Sequence, residues 1–198
     1  MTDVDERAAS KSAAEHGDFA EMIEAFRELR DALCTVNPPA DQLADATDTL
    51  RLMTARLREF AAPEGSRPAR RDGVPDRFVT HPVLVPYTSV RTGETMTGSV
   101  EFTIAHLGGV GVHGGVVTMM FDDVLGTFVA ECGQPDCVTA YLKVDYRSPT
   151  PIERKLRLTG RIDRIDGRKV VVSGEIRDGE SVCAQAEALF LRVRQGQR

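Results

Sequence analysis

"GGVGVHGGVVTMMFDDVLG", residues 108–126, decides how the rest of the chain is read. It holds Gly109-x-Gly111-x-x-Gly114, the letters of a dinucleotide-binding turn, between an apparent strand and an apparent helix. Glu131 lies about twenty residues on, where that fingerprint expects an acid. A dinucleotide fold, however, needs parallel strands separated by crossover helices. Past Glu131 the sequence offers period-two strands joined by tight Asp-Gly turns, "RIDGRK" and "RDGE", and no second helix. The nucleotide-cofactor reading fails there.

The stretch from Gly114 onward is too long for a strand. Val116, Val117, Met119, Met120, Phe121, Val124, Leu125, Phe128 and Val129 leave only a narrow polar sector on a helix. Such a helix is buried, so a sheet must wrap it. The strands are supplied on both sides. Val100, Phe102 and Ile104 alternate with Ser99, Glu101 and Thr103. Val138, Ala140, Leu142, Val144 and Tyr146 alternate with Thr139, Tyr141, Lys143 and Asp145, and Leu156, Leu158 and Ile162 continue the pattern. Half-solvated antiparallel strands around one buried helix predict an α+β fold, a curved antiparallel sheet wrapped around a central helix.

Upstream the period is 3.6. Residues 1–17 are polar and read as frayed. Phe19, Met22, Ile23, Phe26, Leu29 and Leu33 then draw one helical stripe, "NPPAD" breaks it, and Leu43, Ala46, Leu50, Met53, Leu57 and Phe60 draw a second. The expected organisation is an N-terminal helical hairpin over 1–60, a Pro- and Arg-rich linker over 61–77 and the sheet domain over 78–198.

Composition narrows the function classes. The chain has 198 residues, 41% hydrophobic and 28% charged, with a formal charge of −5. No apolar run approaches the ~18–20 residues that span a bilayer, and the acidic start is unlike a secretory signal, so a cytoplasmic protein without membrane contact is expected. Residues 1–60 carry thirteen acidic and seven basic side chains, the wrong sign for nucleic acid. Cys132 and Cys137 bracket "GQPD" without a nearby His or second Cys pair, so neither a metal site nor a bridge is expected, and no cofactor is implied.

The candidate chemistry sits on the central helix. Its first N–H groups lack intrahelical partners, and the positive end of the dipole suits a carbonyl oxygen gaining charge. Gly114 and Gly115 keep side chains away from that spot. Asp122 and Asp123 stand in an otherwise apolar helix, where a carboxylate is costly unless paired, solvated or used. Spacing alone leaves two readings open. Asp123 with Thr127 and Ala130, or Asp122 with Thr118, can equally face solvent, and His113 can equally be a plain cap.

The residues "GVGVHGGVVTMMFDDVLG", "TAYLKVDYRSPTPI" and "GRKVVVSGEIRDGESVCAQAEALFLRV" resemble the PaaI-like acyl-CoA thioesterases of the hotdog fold, most closely the THEM4/THEM5-like branch. The most specific letters are His113-Gly114-Gly115 with Asp122 nine residues after the histidine, and the run from Thr139 to Pro151. The resemblance implies that Asp122 is the general base or nucleophile and that the Gly114 N–H polarises the thioester carbonyl. It implies that His113 shapes the turn and that Thr139 lies near the attacking water. Asp123 is the fallback acid, with Gly115 and His106 as further candidates. It also implies an acyl-CoA substrate and a homodimer or dimer of dimers, with Asp122 of one chain facing Gly114 of the other. Leu107 stands where many relatives have asparagine one residue after His106, and Gly109-Val110 where they often have Pro-Pro. A non-catalytic acyl-CoA sensor and a hydratase on the same fold are the rival functions. Arg147, Arg154, Arg168 and Lys169 are either contacts for CoA phosphates or solvated strand-end charges.

Overall fold

A computed structural model describes residues 3–63 and 81–194, with side chains from Asp18 onward. It divides into two compact units at Pro82/Val83. Most of the expected linker, residues 64–77, lies outside the described residues.

The first unit contains helices α1 (Asp3–Leu33) and α2 (Ala40–Arg58). α1 begins well before the residues read as the start of its stripe. "DERAASKSAAE" lacks apolar periodicity but is rich in alanine and long charged side chains, which favour helix without needing a core. Thr35 and Cys34 close its end on Ala32 and Asp31. Pro39 then stands just before α2, where its missing N–H costs nothing. Two consecutive helices are present as expected. Their stripes do not bury each other, because Met22, Phe26, Leu29 and Leu33 of α1 are exposed and α2 buries none of its residues.

The second unit is a six-stranded antiparallel sheet and one helix. In chain order the elements are β1 (Tyr87–Thr92), β2 (Thr95–Glu101), a 3-10 turn (Ile104–His106), α3 (Gly114–Glu131), β3 (Cys137–Tyr146), β4 (Lys155–Asp166), β5 (Lys169–Asp178) and β6 (Ser181–Arg192). In space the strands run β1-β2-β4-β5-β6-β3. The hairpins β1–β2, β4–β5 and β5–β6 turn on Gly93, Gly167 and Gly179, each at positive φ in the first place of a two-residue loop. Glycine takes that conformation without the Cβ penalty, and the turn matches the twist of the strands.

α3 lies across the middle of the sheet because the sheet is built thin there. Met96, Gly160, Gly174 and Ala186 are register partners on successive strands. A Cβ on Gly174 would stand 3.0 Å from Leu125 Cδ2 and 3.2 Å from Phe121 Cε1. Phe121, Val124, Leu125, Phe128 and Val129 fill this trough and are fully buried, together with Leu156, Leu158, Val172 and Ile176. The chain thus forms a curved sheet around a central helix.

Two local readings change. The strand expected through Ile104 ends at Glu101. Thr103 caps a 3-10 turn there by accepting from the His106 backbone N–H, while His106 Nδ1 accepts from the Thr103 N–H at 2.9 Å. In β3 the inward set is not Val138 and Ala140. A bulge between Thr139 and Tyr141 shifts the pairing with β6, so Thr139 and Leu142, Val144 and Tyr146 share the helix side while Val138 and Ala140 are exposed. Among the described residues no helix is long and apolar enough to cross a membrane.

Candidate active site

The approach to α3 is a strap held at both ends. His106 is buried with its ring edge on Phe102, at a centroid distance of 5.9 Å and an interplanar angle of 81°. Its Nδ1 takes the Thr103 N–H and lies 3.1 Å from the Thr103 hydroxyl, so the ring anchors the strap from the inside. The His106 carbonyl accepts the His113 N–H at 2.8 Å, and Gly108 N–H donates to Gly111 at 2.6 Å. Val112 N–H reaches across to the Thr150 carbonyl at 2.8 Å. Gly111 makes that crossing possible, since a Cβ there would sit 2.6 Å from the Thr150 oxygen.

His113 is the N-cap of α3. Its exposed ring accepts the Gly115 N–H on Nδ1 at 3.0 Å, so that donor is taken by the cap. Val116 and Val117 donate to the His113 carbonyl. Among the described residues no acceptor meets the Gly114 N–H, which is left at the positive end of the helix. The Gly114 carbonyl is occupied instead. It lies 3.0 Å from the Thr118 hydroxyl and 2.8 Å from the Tyr146 hydroxyl, and those two are 2.8 Å apart. Two hydroxyl protons serve three contacts, which locks the end of β3 to the first turn of α3.

Asp122 is exposed, on the open side of α3 that also carries Gly115 and, partly buried, Thr118. Thr139, turned toward the helix by the bulge, donates its hydroxyl to Asp122 Oδ1 at 2.7 Å. Asp123 faces the other way and is buried at 8% exposure, so it does not share a solvent stripe with Thr127 and Ala130. The structure therefore brings Asp122 to Thr139, and Gly114 to Thr118 and Tyr146. It leaves His106 and Asp123 inside.

The sequence reading placed Tyr146 only in a strand and Thr118 only beside Asp122 on a solvent-facing stripe, and made neither a site candidate. The signal for Tyr146 was its place at the end of a strand rich in polar partners, but only the fold shows that the strand end meets the helix start. Cys132 and Cys137 are unbridged, and burial pushes both thiols up, so neither is an activated nucleophile. Arg154 is paired to Asp178 at 2.7 Å, Arg147 donates to Gln185, and Arg168 donates to the Arg192 carbonyl.

Residues 111–184 match the family model described as the thioesterase superfamily. A Xenopus laevis protein named acyl-coenzyme A thioesterase THEM4 is 36% identical over 84 residues, 41% of this chain and 37% of its own. The Mus musculus protein of that name is 33% identical over 92 residues, 44% and 39% of the two chains. This chain thus spans about two fifths of the length of these curated relatives. Among solved structures, a thioesterase superfamily protein matches with a TM-score of 0.73 at 29% identity, covering 87% of this chain and 94% of that one. A Streptococcus mutans protein crystallised with acetyl CoA shares the fold at a TM-score of 0.51 and 18% identity, over 55% of this chain and 89% of its own. With its central helix and six-stranded sheet the chain shares the fold of a thioesterase superfamily protein, and its segment from the strap to the start of β6 is similar to the thioesterase superfamily.

Proposed function

We propose that the chain hydrolyses acyl-CoA thioesters to the free acid and CoA, with Asp122 as the base and the Gly114 N–H as the oxyanion donor. The observation that carries this reading is the hydrogen bond from Thr139 to Asp122 Oδ1 on the open side of α3. It fixes the carboxylate and leaves the second oxygen to take a proton from water. The names of the curated relatives support the substrate class.

In this reading water attacks the thioester carbon while Asp122 takes its proton. The carbonyl oxygen gains charge and accepts the Gly114 N–H at the positive helix end. Collapse breaks the C–S bond, and the proton held by Asp122 goes to the departing CoA thiolate. Direct attack by Asp122, through a mixed anhydride that water then opens, gives the same products. Geometry argues for two chains per site. Asp122 and Gly114 of one helix are eight residues apart, roughly 12 Å at about 1.5 Å per residue, too far to serve one carbonyl. A second copy that brings its own Gly114 to Asp122 removes the mismatch. The open edge of β3 is the surface on which the two copies would join.

The test is thiol release across a panel of acyl-CoAs. Asp122→Asn is expected to lower kcat by at least about 100-fold, the lower end for loss of a general base. Full activity in Asp122→Asn with loss in Asp123→Asn would move the role to the buried acid. No turnover of any thioester by the wild-type chain, with binding retained, would make it a sensor.

A further inference from the structure

α2 buries none of its residues, although Leu43, Ala46, Leu50, Met53 and Leu57 follow each other at steps of three, four, three and four, with Phe60 three further on in the turn past its end. That strict alternation averages 3.5 residues. It is the seam of a paired helix, narrower than the stripe of a helix lying on a globular core. Leu43, Leu50, Met53, Leu57 and Phe60 are 40–80% exposed. α1 does not cover them. Its own Met22, Phe26, Leu29 and Leu33, at the same alternating steps, are exposed as well. Ile23 and Arg27, off that row, are the buried ones among the described side chains of α1, with Arg27 donating to the His81 carbonyl at 3.0 Å.

The charges along α2 say what fits the seam. Asp41, Asp45 and Asp48 fall in its first half, and Arg51, Arg56 and Arg58 in its second. The pair of Arg51 with Asp48 at 3.4 Å is exposed and compensates little of this polarity. A parallel copy would set acid beside acid and base beside base. An antiparallel copy sets the acidic half beside the basic half, opposes the two helix dipoles, and places Ala46 against Leu57 and Leu50 against Met53. A helix lying on an anionic membrane would be basic along its polar face, which the three aspartates contradict. We propose that α2 pairs antiparallel with α2 of a second copy of this chain through this seam. The pairing is independent of the catalytic reading, since it uses no residue of that site.

The experiment uses the full chain with Cys34→Ser to remove the exposed thiol nearby. Chains with Ala46→Cys and with Leu57→Cys, carrying distinct tags, are oxidised mildly alone and after co-expression. Covalent dimer is expected only in the co-expressed pair. In a parallel pairing each single variant would cross-link with itself, and that result overturns the antiparallel arrangement. Within an antiparallel pair, like positions lie roughly 16 Å apart along the axis, beyond the reach of a disulfide. Absence of cross-linking in all three samples overturns the pairing itself. As a second readout, Leu50→Asp with Met53→Asp, added to the co-expressed Ala46→Cys and Leu57→Cys chains, should abolish the covalent dimer. Undiminished cross-linking, with helicity retained, counts against the proposal, and the first cross-linking result stands even where this double variant fails to fold.

Discussion

Thr139 stands next to Asp122 for a reason no local rule contains. Its own strand pattern assigns it to the solvent side, opposite Val138 and Ala140. One extra residue in the pairing with β6 reverses that assignment and sends its hydroxyl 2.7 Å from the carboxylate. If the hydroxyl orients Asp122, Thr139→Ala should lower kcat by about tenfold, a single neutral-to-charged hydrogen bond, with a smaller change in KM. Thr139→Ser should restore most of the loss. Equal losses in Ala and Ser variants would assign Thr139 to packing. The aspartates teach the complementary lesson. Asp122 and Asp123 are neighbours in sequence with identical chemistry, and only the sheet position decides that one is open and the other buried.

At the level of elements, what the sequence made legible was α3 and the strands beneath it. A run apolar around most of its circumference has one physical outcome, burial, and glycine-centred tight turns between alternating strands have another, antiparallel pairing. The row Met96, Gly160, Gly174, Ala186 was not legible, because its members lie on four different strands and become a trough only in register. Nor was the tie between β3 and the first turn of α3, for the same reason. The sheet also carries a groove of about 450 Å³, whose lining includes Thr95, Thr97, Thr159, Ser173, Glu175 and Gln185. There Glu175 accepts from Arg177 at 2.7 Å and from Gln185 at 2.9 Å. Burial pushes its carboxyl up, but these hydrogen bonds and the charges of Arg177 and Arg157 outweigh that and hold it below the ordinary value of 4.5. A lowered folded pKa means that the contribution to stability is complete above the ordinary glutamate range and fades as pH falls through the folded value. Urea unfolding of wild type and Glu175→Gln should therefore differ at pH 7 and converge in strong acid. A constant gap across that range would show that the carboxylate charge is not what the network uses.

For the whole molecule, the separation of Asp122 from Gly114 along one helix makes a prediction that a self-contained site cannot share. Gly114→Pro removes the N–H at a helix position where proline is tolerated, although the Tyr146 ring, 3.1 Å from a Cβ there, must give way. Gly114→Pro and Asp122→Asn should each be inactive alone. Co-assembled, half of the dimers are mixed and each mixed dimer rebuilds one intact site, so about a quarter of wild-type activity should return. No recovery on mixing would place both groups of the working site in one chain.

β3 is the first strand made after α3, yet its partner is β6, the last. Thr139 pairs with Phe190, and the residues between them must be synthesised before that bond can form. During translation, Asp122 and Thr139 are therefore both made before β6, the strand that pairs with β3. Contacts of such long sequence separation are slow to close. The hydrogen bond between Thr139 and Asp122 is thus a late contact in folding. A nascent chain halted before β6 lacks the strand that seats β3 beside the helix.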